Sequence, residues 1–284
     1  MAKVLAAVDL TPLGRRVADR GRMLADELDG SLEIVHVSEP MSEAFVPDPV
    51  AALIRSRERA MLEELGEWCR SRTERPIRVT SVKGSPSWEI VKAAKKADLT
   101  VIGSSAIDQA HVGPSARRVL QASRGDVLMV RRQPRVPYRR VVVGVDMSEA
   151  SSLAVISSFR WAPDAEFTLV HAVTPRFDGL MTEAGMFPEE VIHATRDRVD
   201  RAGIALEEFA ERWPGRVRTV LTDGPAKEVI EETARRRSAD LVAVANHGAS
   251  ATKMVLLGTV AGEVLDSMPC DVLVARVPSE FRRP

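Results

Sequence analysis

Residues 3–11 read KVLAAVDLT and residues 140–148 read RVVVGVDMS. Each is an apolar run closed by an aspartate (Asp9, Asp146), an apolar residue and a hydroxyl residue (Thr11, Ser148). Neither run alternates polar with apolar side chains. A strand without alternation is buried on both faces, which calls for a parallel sheet covered by helices on both sides. The likeness of the two stretches also raises the question of a repeat.

Four more pairs follow in the same order. SLEIVHVSEP (31–40) faces EFTLVHAVTP (166–175), and VTSVKGSPSWEIV (79–91) faces RTVLTDGPAKEVI (218–230). DLTVIGSS (98–105) faces DLVAVANH (240–247), and GDVLMVRR (125–132) faces CDVLVARV (270–277). The chain is therefore expected to hold two copies of one unit, 1–135 and 138–284, meeting at the basic, proline-containing stretch RRQPRVPYRR (131–140). Longer segments with helical periodicity separate the apolar runs. Val50, Leu53, Ile54, Met61, Leu62, Leu65 and Trp68 share one helical face, and so do Val191, Val199, Ala202, Leu206 and Phe209. The predicted order in each copy is β-α-β-α-β-α-β-α-β. Right-handed crossovers make that a doubly wound α/β sheet. Ligands in such sheets bind outside the carboxyl ends of the strands, where strand order reverses.

Composition sets bounds. Lys+Arg and Asp+Glu are 40 each in 284 residues, so formal net charge is zero. That argues against nucleic acid or an anionic membrane as the main partner and leaves self-association open. The two cysteines, Cys69 and Cys270, form neither a disulfide framework nor a metal cluster. The N-terminus lacks secretory organisation, and no apolar stretch reaches the roughly 18–20 residues that span a bilayer. A soluble cytosolic protein is the expectation.

Three features fall at the expected carboxyl ends. Asp9 and Asp146 could accept from a sugar hydroxyl or a base, or could cap the next helix, although Thr11 and Ser148 are better placed to cap. In the second copy, Ala245-Asn246-His247-Gly248 is followed after nine residues by Gly258-Thr259-Val260. Gly248 would let backbone approach a ligand, and a helix opening at Gly258-Thr259 would favour phosphate. Lys253 lies between and would add positive charge, and His247 reads as a ligand contact. The spacing is not that of a P-loop. His36 and His171 stand at matching places and read as structural, not as metal ligands. No Ser-His-Asp order, paired-carboxylate motif or metal-ligand spacing supports hydrolysis.

Together these segments resemble the universal stress protein (UspA) family over essentially the whole chain, and its tandem UspE-like branch in particular. The matching elements are VDLT/VDMS, IVHV/LVHA, GSPSWEI/GPAKEVI and DVLMVR/DVLVAR. The resemblance implies two adenine nucleotide alpha-hydrolase-like domains packed as a pseudo-dimer through their last strands, 126–131 and 271–276. It also implies a stress-response protein that binds ATP or another adenine nucleotide, with magnesium accompanying a triphosphate, and acts through ligand-dependent association. Carried over by position, Asp146 and Ala172 would meet the nucleoside, and Gly248, Gly258, Thr259 and Val260 the phosphates. The family's first motif glycine is Ala245 here. In the first copy Gly103 is kept, but Ala106 replaces the second glycine and Pro114 follows Gly113 where a hydroxyl residue is expected. That copy is expected to have lost triphosphate binding. A scaffold without ATP, a binder of another small ligand, and a slow ATPase are the alternatives.

Overall fold

A computed structural model describes residues 1–39, 47–104, 112–173, 188–246 and 257–276, with backbone alone at 188–192 and 194. The first half runs β1 (Lys3–Val8), α1 (Pro12–Glu27), β2 (Ser31–Ser38), α2 (Asp48–Arg70), β3 (Ile77–Lys83), α3 (Pro86–Ala94), β4 (Leu99–Gly103), α4 (Pro114–Ala122) and β5 (Asp126–Val130). The second repeats it: β6 (Arg140–Gly144), α5 (Glu149–Trp161), β7 (Glu166–Val173), α6 (Pro188–Ala210), β8 (Val217–Asp223), α7 (Ala226–Arg236), β9 (Leu241–Ala245), α8 (Thr259–Ser267) and β10 (Asp271–Ala275).

The strands form one ten-stranded sheet in the order β3-β2-β1-β4-β5-β10-β9-β6-β7-β8. Pairing within each half is parallel, and the halves join where β5 and β10 run antiparallel, Val272 opposite Met129 and Val274 opposite Val127. The apolar last strands thus cover each other's edges, as the sequence led us to expect. Successive residues of β1 feed opposite faces. Val4, Ala6 and Val8 pack with α1 and α2, while Leu5 and Ala7 pack with α3 and α4. The second half does the same, so two apolar layers run the length of the sheet.

Local chemistry fixes the helix starts. Thr11 Oγ1 accepts from the Leu13 N–H at 3.2 Å, with Pro12 in the first turn, and Ser148 Oγ accepts from Ser151 N–H at 3.2 Å. Gly84 and Gly224 turn the chain after β3 and β8 with φ of 150° and 133°, values only glycine adopts without strain.

The linker is not a loose tether. Tyr138, the chain's single tyrosine, is buried and donates to Asp271 Oδ2 at 2.6 Å. The Arg20 guanidinium stacks 4.0 Å from its ring and donates to the Val136 carbonyl at 3.1 Å. Asp271 also accepts from the Arg131 and Arg132 N–H groups at 2.8 and 3.1 Å. Its counterpart Asp126 accepts from the Arg276 N–H at 2.9 Å and from Trp161 Nε1 at 2.7 Å. Each last strand therefore opens with an acid that accepts from the amide just beyond the end of the other.

One expectation needs correction. The periodic face of α2 is only partly buried: Leu62 is 3% exposed, but Leu53 is 69% exposed, and Val50, Ile54 and Met61 are also exposed. The helix has 23 residues and buries only Ala51, Leu62, Gly66 and Cys69, so most of its first half lies beyond the cover of the sheet.

Candidate functional site

Strand order reverses between β1 and β4 in the first half and between β6 and β9 in the second. The carboxyl ends of these strands carry the two aspartates. In the second half, Asp146 Oδ1 accepts from Ser148 N–H at 3.2 Å and from the hydroxyls of Ser148 and Ser151. The cap is Ser148, so Asp146 orients the capping residue instead of capping the helix itself. Met147 between them has φ of 59°, a strained value for a residue with a side chain. In the first half, among the described residues, Asp9 Oδ1 accepts from Thr11 alone, through N–H at 3.4 Å and Oγ1 at 2.6 Å. The residue matching Ser151 is Gly14. A Cβ there would lie 1.8 Å from the Asp9 carbonyl oxygen and 2.7 Å from Oδ1, so no side chain fits.

The β6–β7 register pairs Gly144 with Val170; continued by two residues it sets Ala172 level with Asp146. Ala245 closes β9, which pairs with β6 on the other side. Its backbone is not left-handed, so alanine at this motif position carries no conformational penalty. In the first half a Cβ on Gly103 would come 2.9 Å from the Leu13 side chain; the residue matching Leu13 in the second half is Ala150.

Gly258 caps α8, and its N–H donates to the Asn246 carbonyl at 2.9 Å, tying the helix start to the end of β9. The first bond within the helix runs from Gly262 N–H to Gly258 O at 2.8 Å, so the amides of Thr259, Val260 and Ala261 precede it with no partner among the described residues. Thr259 and Val260 are exposed. In α4 the first bond is Arg117 N–H to Gly113 O at 2.9 Å, and the residues before it are Pro114, Ser115 and Ala116. Proline has no N–H, so this helix start offers two amides and the other three. Six of the expected second-half residues (Asp146, Ala172, Ala245, Gly258, Thr259, Val260) thus gather at one end of the sheet. His247, Gly248 and Lys253 lie outside the described residues, as does Ala106.

The histidines hold matching places. His36 Nδ1 donates to the Val8 carbonyl at 3.0 Å and His171 Nδ1 to the Val145 carbonyl at 2.8 Å. Each ring braces the end of its neighbouring strand. Among the described residues no group of three or more His, Cys, Asp or Glu side chains could hold a metal ion. Sequence reading missed Ser104 and Asn246, the first residues after β4 and β9. Ser104 is 6% exposed and Asn246 1%, and Ser104 Oγ and Asn246 Oδ1 have no hydrogen-bond partner among the described residues. The signal available was a polar residue directly after an apolar strand at the switch point. In the first half a cleft of about 620 Å³ opens here, bordered by Asp9, His36, Ser104, Gly113 and Pro114.

The universal stress protein family profile matches residues 1–131 and again 137–276. The chain belongs to the universal stress protein family. A universal stress protein of Methanocaldococcus jannaschii is 29% identical over 147 residues, half of this chain and 85% of that protein. A universal stress protein of Mycobacterium bovis is 28% identical over 185 residues, covering 63% of this chain and 57% of the relative, so the match spans little more than half of that protein. The crystal structure of a universal stress protein from Archaeoglobus fulgidus superposes with a TM-score of 0.72 at 17% identity, covering 98% of this chain and 97% of that one. That superposition shows a tandem universal stress protein fold over the whole chain. No described helix of this family member is long and apolar enough to cross a membrane.

Proposed function

We propose that this universal stress protein binds one adenine nucleotide, ATP or AMP, in its second half and acts by ligand-dependent association, not by turnover. The observation that carries this reading is the start of α8. It is tied to the end of β9 by the Gly258–Asn246 bond and offers three successive amides beside the Thr259 hydroxyl. Such a helix start binds phosphate through its N–H groups and its partial positive charge. Asp146 would accept from a ribose hydroxyl or the base amino group. Its Oδ1 is already fixed by three donors, so ordering it on binding costs little entropy. Ala172, level with Asp146, would leave room for a flat ring, and His247, Gly248 and Lys253 are the further ligand contacts read from the sequence. Any magnesium would arrive on the triphosphate.

Native mass spectrometry of the purified chain tests the reading. A mass increment of one adenine nucleotide, removed by Gly258→Val, is expected. A protein that carries none and takes none up at millimolar ATP would contradict it, and a ligand-independent scaffold would then be the better account.

A further inference from the structure

The cleft of the first half has the opposite electrostatic character to a phosphate site. Three carboxylates, Asp9, Glu39 and Glu58, line it, and among the described lining residues there is no lysine or arginine. The arginines of α4 are engaged elsewhere. Arg117 donates to both oxygens of Asp266 at 3.1 and 3.0 Å, and Arg118 lies 5.0 Å over the Trp88 ring. A helix N-terminus supplies about half a positive charge, and Pro114 removes one of its donors. Half a charge does not offset three carboxylates, so an anion is disfavoured here.

The same wall holds polar atoms that need a partner. His36 is 9% exposed and gives its Nδ1 proton to the Val8 carbonyl. A carbonyl only accepts, so in the neutral ring the proton sits on Nδ1 and Nε2 is left as an acceptor, with no partner among the described residues. Ser104 Oγ, also buried, has none either. Buried polar atoms are seldom left unpaired in a finished structure. Ser38 Oγ donates to Glu58 Oε2 at 2.7 Å, which fixes that carboxylate and leaves Oε1 to accept. Ile54, Ile90 and Ile102 supply apolar walls, and about 620 Å³ suits a compact organic molecule.

We propose that the first-half cleft binds an organic cation: a compact apolar or aromatic frame bearing a protonated amine or amidine, and no phosphate. The carboxylates accept from the cationic head, His36 Nε2 takes a further N–H, and the isoleucines cover the frame. The two halves then differ in ligand class, anionic in one and cationic in the other.

Benzamidine, benzamide and benzoate share one frame and differ in charge, so they serve as probes in isothermal titration of the full-length protein at neutral pH. Benzamidine is expected to bind about tenfold more tightly than benzamide, the scale of one charge-assisted hydrogen bond, and benzoate weakest of all. Glu58→Gln keeps the shape and an acceptor but removes the charge, and is expected to weaken benzamidine about tenfold; Asp9→Asn is a second variant with the same expectation. Gly258→Val, in the other half, is expected to leave benzamidine binding unchanged. The proposal is overturned by benzoate or benzamide binding as well as benzamidine, by no benzamidine heat at millimolar concentration, by wild-type binding in both carboxylate variants, or by loss of benzamidine binding in Gly258→Val.

Discussion

The two halves share a strand order, a histidine brace and a buried polar residue after the fourth strand, yet their sites diverge at a few positions. In the first half Gly14 lets α1 press on the Asp9 carbonyl; in the second, Ser151 fills that place and holds Asp146. Proline opens α4 where threonine opens α8. Duplication supplied two sheets that cover each other's edges. The two helix starts differ in residue type without disturbing the layers that hold the sheet. Fold and site are thus set by different residues, and can be broken separately.

The largest expected effect lies at the junction, where the halves also differ. Asp271→Ala removes the acceptor of Tyr138 and of two backbone amides and leaves Arg20, 3.6 Å away and 5% exposed, without its counter-charge. Loss of one partner of a buried ion pair costs about 3–5 kcal/mol. Asp126→Ala unpairs the Trp161 and Arg276 N–H groups, but the Arg276 guanidinium keeps its bonds to the Leu120 and Gln121 carbonyls, so no charge is stranded. Burial also pushes the Asp126 carboxyl above its ordinary range, so its charge was already disfavoured. We expect about 2–3 kcal/mol there. Urea denaturation of both variants checks this, and equal losses would erase the asymmetry of the junction.

Phosphate binding separates the halves next. Gly258→Val should weaken ATP by about a hundredfold, the scale of two amide bonds to a charged oxygen, while Gly113→Val leaves it unchanged. Titration calorimetry with circular dichroism as a folding control decides it. Equal losses in the two variants would sink the claim that only one helix start holds phosphate.

Asp146→Ala should cost about 1.5–3 kcal/mol of nucleotide binding, and Asp9→Ala almost none. Both should lose roughly 1 kcal/mol or less of stability without ligand, because each acid holds its capping residue. Melting curves beside affinities separate the two roles. A stability loss with normal affinity in Asp146→Ala would make that residue a structural brace alone.

The architecture was legible because its signal is long-range and repeated: five segments recur in the same order, and runs without alternation such as 141–145 and 241–245 call for a buried parallel sheet. That the last strands would meet was implied by the family resemblance and by two apolar edges needing cover; that they run antiparallel came from the structure. Periodicity overreached at α2, because Leu53 and Val50 satisfy a helical face whether or not a sheet lies beneath it. At the candidate site, residue type and spacing set Asp146, Gly258 and Thr259 at the carboxyl ends of the strands, and the fold has them at that end of the sheet. The need for Gly14 could not be read that way, for it arises from a 1.8 Å approach between elements that no local pattern records. Tyr138 was overlooked because a proline-containing basic stretch reads as a tether, whereas its ring and hydroxyl dock on Arg20 and Asp271.

The smallest effect concerns pH. Burial pushes the Glu27 carboxyl from 4.5 up to about 7; Arg20 opposes this, while Asp164 of the other half and Asp26 add to it. Between those values the folded chain holds a proton that the unfolded chain releases. Stability from this group is therefore full below the ordinary carboxylate range and falls as pH rises toward 7. Glu27→Gln should flatten that slope and raise stability above pH 7 by roughly 1 kcal/mol, discounted because the side chain is partly exposed. An unchanged pH profile would place the proton elsewhere.

The central claim is that one half, and only one, holds an adenine nucleotide. Titration of ATP into the full-length protein reads this directly as a stoichiometry. The account predicts one nucleotide per chain, with the site abolished by Gly258→Val and untouched by Gly113→Val. Two nucleotides per chain, or one that survives Gly258→Val, would contradict it.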